Sequence, residues 1–83
     1  MKLIEIYTED FCPYCLKAKS LLDIKGLRYQ EIKIKTDEAR QELIKLSNRK
    51  TVPQIFIEGK HIGGCDDLYH IYETGELDTI LNN

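Results

Sequence analysis

Eighty-three residues, 42% hydrophobic and 31% charged, describe one soluble globular domain spanning residues 1–83, and no apolar run approaches the roughly 18 residues that a membrane span needs. The net charge of −2 divides into +3 over residues 1–50 and −5 over residues 51–83, but the basic residues stand singly, without interleaved aromatics, which argues against a nucleic-acid surface. Three cysteines, an odd number, do not suit a disulfide-framed secreted domain. The opening MKLIEIYTED puts Glu5 inside its apolar stretch and offers no small-residue cleavage site, so the reducing cytosol is the expected compartment.

Lys2 to Tyr7 (KLIEIY) reads as a first strand. From Pro13 the spacing turns helical, with Cys15, Ala18 and Leu22 on one stripe, Leu21 beside it, and Gly26 as a stop after Lys25. Arg28 to Lys35 alternates around Ile32 and Ile34. Thr36 and Asp37 then offer N-caps for a helix whose apolar face carries Ala39, Leu43 and Leu46, ended by Asn48. Val52 to Ile57 and Lys60 to Ile62 form a hairpin about Glu58-Gly59. After Gly63-Gly64 a helix begins near Cys65 or Asp66 with Leu68, Ile71 and Tyr72 on one face, stops at Gly75, and leaves Leu77, Ile80 and Leu81 for a last turn. The order β-α-β-α-β-β-α predicts an α/β fold: a four-stranded mixed sheet, first two strands parallel, with helices on both faces.

Two thiols follow the first strand in TEDFCPYCL, residues 8–16, where a redox pair, part of a metal site and a structural disulfide all need weighing. If Cys12 caps the helix that Pro13 opens, its sulfur meets unpaired N–H groups and the positive end of the helix dipole, which favour a thiolate nucleophile. Cys15 lies one turn on, at a separation that suits a disulfide, and is expected to be less exposed and less acidic. Tyr14 forms a wall. A metal site would draw on Cys12, Cys15, Cys65, His61 or His70. Zinc needs about four convergent ligands, while His61 is expected on a strand, His70 within a helix, and a second Cys-x-x-C is missing, so no metal ligands are assigned. Both histidines are read as surface residues. Gly63-Gly64-Cys65-Asp66-Asp67 brings glycine-rich backbone to a helix N-terminus; it can offer N–H donors to a carboxylate, or simply turn the chain while Asp66 or Asp67 caps the helix.

Cys12-Pro13-Tyr14-Cys15, Thr51-Val52-Pro53-Gln54 and Gly63-Gly64-Cys65-Asp66-Asp67-Leu68, in this order and spacing, closely resemble the dithiol glutaredoxins over essentially the whole chain. The resemblance implies a thioredoxin-like fold and a glutathione-dependent thiol–disulfide oxidoreductase acting on protein disulfides and glutathionylated proteins. It makes Cys12 the attacking thiolate, Cys15 the resolving thiol and Pro53 a cis-proline. It further implies that Val52 pairs through its backbone with the cysteine residue of glutathione. Gly64, Cys65 and Asp66 would hold the γ-glutamyl end, Tyr14 would flank the sulfur, and Thr51 with a basic side chain would meet the glycyl end. Glutathione is then a co-substrate, with no tightly bound cofactor, and the chain is expected to act as a monomer. The typical potentials of such enzymes lie about 40–70 mV above thioredoxin, or roughly 2–3 kcal/mol, which suits recharging by glutathione.

One position departs from the family pattern. Many members carry a lysine three residues before the nucleophile, where this chain has Glu9. Weaker glutathione binding or a less readily ionised Cys12 is the expectation, with Arg40, Lys45, Arg49 or Lys50 left to meet the glycyl carboxylate. Phe11 is a second unusual neighbour, read either as a contact for a protein substrate or as packing. Two other readings remain: a glutathione-ligated iron–sulfur cluster between two chains, and an electron donor recharged by thioredoxin reductase, for instance to ribonucleotide reductase. Pro13-Tyr14 ill suits the cluster, and the Gly63–Asp67 segment favours glutathione as the reductant.

Overall fold

The computed structural model describes residues 2–83; Met1, the first residue of the expected domain, lies outside them. The elements run β1 (Ile4–Thr8), α1 (Pro13–Ile24), β2 (Gln30–Lys33), α2 (Asp37–Ser47), β3 (Gln54–Ile57), β4 (Lys60–Gly63), α3 (Cys65–Thr74) and α4 (Glu76–Asn82). The strands form one sheet in the order β2-β1-β3-β4. β1 and β2 are parallel, with Tyr7 opposite Ile32, because α1 carries the chain back over the sheet. β3 pairs antiparallel with both β1 and β4. Glu58 and Gly59 both take positive φ, 51° and 79°, as a two-residue hairpin with right-handed strand twist requires.

Alternation along β1 and β3 divides the apolar side chains between two faces. Ile4, Ile6, Ile55 and Ile57 join Ala18, Leu21 and Leu22 of α1, Cys65 and Leu68 of α3 and Leu77 of α4 in one buried cluster. Leu43 of α2 is fully buried yet stands outside that cluster, so α2 covers the opposite face, toward which Tyr7 and Phe56 project in an edge-to-face pair 5.6 Å apart. Helices therefore cover both faces, as expected.

The differences from expectation have local causes. The third strand begins at Gln54, not Val52, because Pro53 has no N–H for the ladder and follows a cis Val52-Pro53 peptide. Leu46 is 48% exposed; the inward stripe of α2 runs through Leu43 to Ser47, whose hydroxyl donates to the Leu43 carbonyl at 2.7 Å and accepts the Arg49 N–H at 3.1 Å. Tyr72, expected on the apolar face of α3, is exposed. The expected last turn is a separate helix, α4, which Gly75 (φ 86°) sets off at an angle so that Leu77 enters the core. No helix among the described residues is long and apolar enough to cross a membrane.

Candidate active site

Cys12 is the N-cap of α1, in extended conformation (φ −112°, ψ 103°), and its sulfur accepts the Cys15 N–H at 3.2 Å. The geometry follows from Pro13: as the first helical residue it has no N–H to leave unpaired, and it aligns the free N–H groups of the next residues with the preceding side chain. Cys15 points inward and is 1% exposed. Burial, helped by the hydrogen bond and the charge at Cys12, pushes its thiol up to about 12. The two sulfurs thus have unequal environments, one partly exposed at a helix N-terminus and one in the core. Both are free thiols here.

Across from Cys12 the Val52 carbonyl lies 4.0 Å from its sulfur. Tyr14, the Thr51-Val52-Pro53 segment and the Gly64-Cys65-Asp66 turn line one open cavity of about 200 Å³, so the seven residues singled out for ligand binding converge on it. Cys12 and Cys15 border an adjoining recess of about 190 Å³ with Phe11 and Leu16. The two depressions share no lining residue. Close approach explains one glycine of the turn: a Cβ on Gly63 (φ 128°) would stand 2.3 Å from Asp67 Oδ2.

Asp67, not Asp66, is the capping residue. Its carboxylate accepts the Gly64 N–H at 2.9 Å and the Arg49 guanidinium at 3.0 Å, and these bonds hold its carboxyl below its ordinary range. Asp66 is left exposed beside the cavity. The Gly-x-x-Asp spacing, half of a capping box, is the sequence signal that distinguishes the two. Gln54 was not anticipated as a site residue. It is 1% exposed, its amide N–H donates to the Thr51 carbonyl at 3.1 Å, and its Oε1 lies 2.7 Å from His61 Nε2. His61 is accordingly no surface histidine: it is half-buried, stacked at 5.0 Å on Phe56, and burial lowers its pKa. His70 is exposed, as expected.

The acidic residues ahead of Cys12 are both paired. Glu9 forms an ion pair with Arg40, whose guanidinium also donates to the Lys50 carbonyl. Asp10 pairs with Lys33 at 2.7 Å, and that bond lowers the Asp10 carboxyl. Of the four cations considered for a glycyl carboxylate, Arg49 borders the cavity. Arg40 and Lys50 share a neighbouring recess with Glu9, Thr51 and Val52, while Lys45 sits in the last turn of α2, lining neither. Among the described residues no three His, Cys, Asp or Glu side chains are grouped to hold a metal ion.

Such an arrangement, a helix-capping thiol over a buried one beside an open polar cavity, can exchange disulfides. The family model for glutaredoxin matches residues 4–62. Glutaredoxin 3 of Escherichia coli (strain K12) is 55% identical over 82 residues, spanning 98% of this chain and 99% of its own. A solution structure of glutaredoxin from Brucella melitensis, 49% identical, covers 98% of this chain and 89% of its own with a TM-score of 0.86. A crystal structure of a buckwheat glutaredoxin-glutathione complex, 34% identical, covers 98% and 77% with a TM-score of 0.89. On the match of family, sequence and thioredoxin-like fold, the chain belongs to the glutaredoxins, the glutathione-dependent thiol–disulfide oxidoreductases.

Proposed function

We propose that this glutaredoxin reduces disulfides through Cys12 as nucleophile and Cys15 as resolving thiol, within one catalytic domain of residues 1–83. The observation that carries the reading is the inequality of the two sulfurs: Cys12 receives a backbone N–H at 3.2 Å at the start of α1, whereas Cys15 is buried with its thiol pushed up to about 12. A helix N-terminus stabilises negative charge on the capping sulfur, and a buried thiol keeps its proton until it is needed.

The Cys12 thiolate attacks a substrate disulfide; a Cys12–substrate bond forms, the substrate S–S bond breaks, and the departing sulfur takes the electron pair and a proton. Cys15 then loses its proton and attacks the Cys12 sulfur, expelling the second substrate thiol and leaving a Cys12–Cys15 disulfide. One glutathione thiolate opens that bond at Cys12, returning Cys15 to the thiol. A second attacks the resulting mixed disulfide, so that two glutathiones leave as one glutathione disulfide and two substrate thiols have been made. On glutathionylated substrates Cys12 alone accepts the glutathionyl group and passes it to a second glutathione.

Glutathione binds in the cavity beside Cys12 as a diffusible co-substrate, with no tightly bound cofactor in the cycle. Val52 precedes the first ladder residue of β3, so its backbone groups are available to pair with an added extended peptide. The N–H groups of Cys65 and Asp66 at the start of α3 face the γ-glutamyl carboxylate, and the exposed Asp66 carboxylate faces its ammonium. Thr51, with Arg49 or Lys50, meets the glycyl carboxylate, and Tyr14 flanks the sulfur. The acceptors are disulfide-bonded or glutathionylated proteins, ribonucleotide reductase among the candidates, met by a monomer in the cytosol.

A glutathione-reductase-coupled assay on a small mixed disulfide and on a protein disulfide tests this. Cys12→Ser is expected to lose both activities, and Cys15→Ser to lose mainly the protein-disulfide reaction. Turnover surviving in Cys12→Ser would overturn the mechanism.

A further inference from the structure

Phe11 is the most exposed large hydrophobic side chain of the described residues, at 102%, and it stands immediately before the nucleophile with φ 58°. A bulky non-glycine residue in the left-handed region is an outlier, and such outliers concentrate at functional sites. Leu16, 62% exposed, borders the same recess as Phe11 and Cys12. Three ion pairs neutralise the rim of this recess: Asp10 with Lys33, Lys19 with Glu31, and Glu9 with Arg40. Its dominant feature is therefore apolar surface and not net charge.

The recess and the glutathione cavity share no lining residue: Cys12 lines the recess, and Tyr14, two residues on, lines the cavity. When Cys12 attacks a glutathionylated protein, glutathione fills the Thr51–Asp67 flank and its sulfur bonds to Cys12. The protein thiolate that departs with the electron pair has the Phe11 flank left to it. We propose that Phe11 and Leu16 form the surface on which the departing polypeptide rests, and that Phe11 selects substrates with an apolar residue next to the modified cysteine. This rests on Cys12 being the nucleophile and on glutathione occupying the neighbouring cavity.

The probes are three glutathionyl mixed disulfides: 2-mercaptoethanol, a Leu-Cys-Leu tripeptide and a Ser-Cys-Ser tripeptide. Phe11→Gly removes the ring while suiting the positive φ, and Phe11→Leu restores an apolar side chain. For the Leu-flanked peptide, Phe11→Gly is expected to lower kcat/KM roughly tenfold, the scale of burying part of a phenyl ring, with most of it restored in Phe11→Leu. For the Ser-flanked peptide and for 2-mercaptoethanol the change should stay within about twofold, since neither buries apolar surface there. An equal loss on all three substrates, or no loss on the Leu-flanked peptide, would overturn the proposal. A wild-type protein that turned over none of the three would instead remove the Cys12 reading beneath it.

Discussion

At the scale of single residues, burial separates Cys15 from Cys12: one thiol is 1% exposed and the other is the partly exposed cap of α1. With its thiol pushed up to about 12, Cys15 keeps its proton at pH 7, and burial raises the Cys65 thiol as well. Brief iodoacetamide treatment of the reduced protein at pH 7 should therefore modify Cys12 alone, as read by peptide mass mapping; comparable labelling of Cys15 or Cys65 would contradict the assigned environments. Glu9 poses a different question. Its carboxylate does not stand free beside Cys12 but holds Arg40, which in turn holds the Lys50 carbonyl next to Thr51. In Glu9→Lys that pair is lost, Arg40 is released, and a third cation joins Arg40 and Lys50 in the recess beside Thr51 and Val52. The apparent KM for a glutathionylated substrate should fall about threefold, the scale of one partly exposed ion pair, and the gain should shrink at high salt. An unchanged KM would show that the glycyl carboxylate does not reach this recess.

At the scale of elements, the site depends on how β4 hands the chain to α3. Gly63 and Gly75 both take positive φ, but a Cβ at Gly75 meets open space whereas one at Gly63 meets the Asp67 carboxylate. Gly75→Ala should cost about 1 kcal/mol for the left-handed conformation alone. Gly63→Ala must in addition displace Asp67 from the Gly64 N–H and loosen its grip on Arg49, so a loss of roughly 2–3 kcal/mol is expected, with a higher KM for glutathionylated substrate. Urea denaturation of the two variants separates the cases, and equal losses would mean that the contact with Asp67 contributes nothing. The handover is partly legible in the chain: two glycines, then acids at the second and third positions after the cap, spell a helix start. Which of Asp66 and Asp67 caps it depends on the side chain that reaches back to Gly64, and the spacing to Gly64 was the clue.

At the scale of the whole molecule, what could be read from the sequence was what is local. Alternation in KLIEIY, the Cys12-Pro13 start of α1 and the Glu58-Gly59 turn each depend on a few neighbouring residues, and from them the element order and the unequal thiols followed. Gln54 stands in the Thr51-Val52-Pro53-Gln54 motif, but its place in VPQIFI gives it no role, because its bonds to Thr51 and His61 appear only once the hairpin is closed. The Glu9–Arg40 pair joins residues of different elements, which no pattern in either element announces. Such long-range polar links also set how stability depends on pH. His61, half-buried against Gln54 and Phe56, has its pKa lowered from 6.5, by burial first and then by Arg49, against the opposing pull of Asp67. A depressed folded value means the unfolded chain takes up the proton more readily, so this contribution is full above about pH 6.5 and is lost as pH falls below it. Glu31, tied to Thr8 at 2.6 Å and Lys19 at 2.9 Å, and Asp67, tied to Gly64 and Arg49, are lowered from 4.5 and 3.8. Their contributions are full above those values and lost as pH falls through the still lower folded ones. The melting temperature should accordingly hold steady between about pH 7 and 8, decline gently below pH 6.5 and again below about pH 4.5, and decline as pH rises through 9.0, where the unfolded chain releases thiol protons that buried Cys15 and Cys65 keep. In His61→Gln, which keeps a hydrogen-bonding group toward Gln54 but cannot take up a proton in this range, the first decline should disappear and the second persist. A first decline that survives the substitution would assign it to some group other than His61.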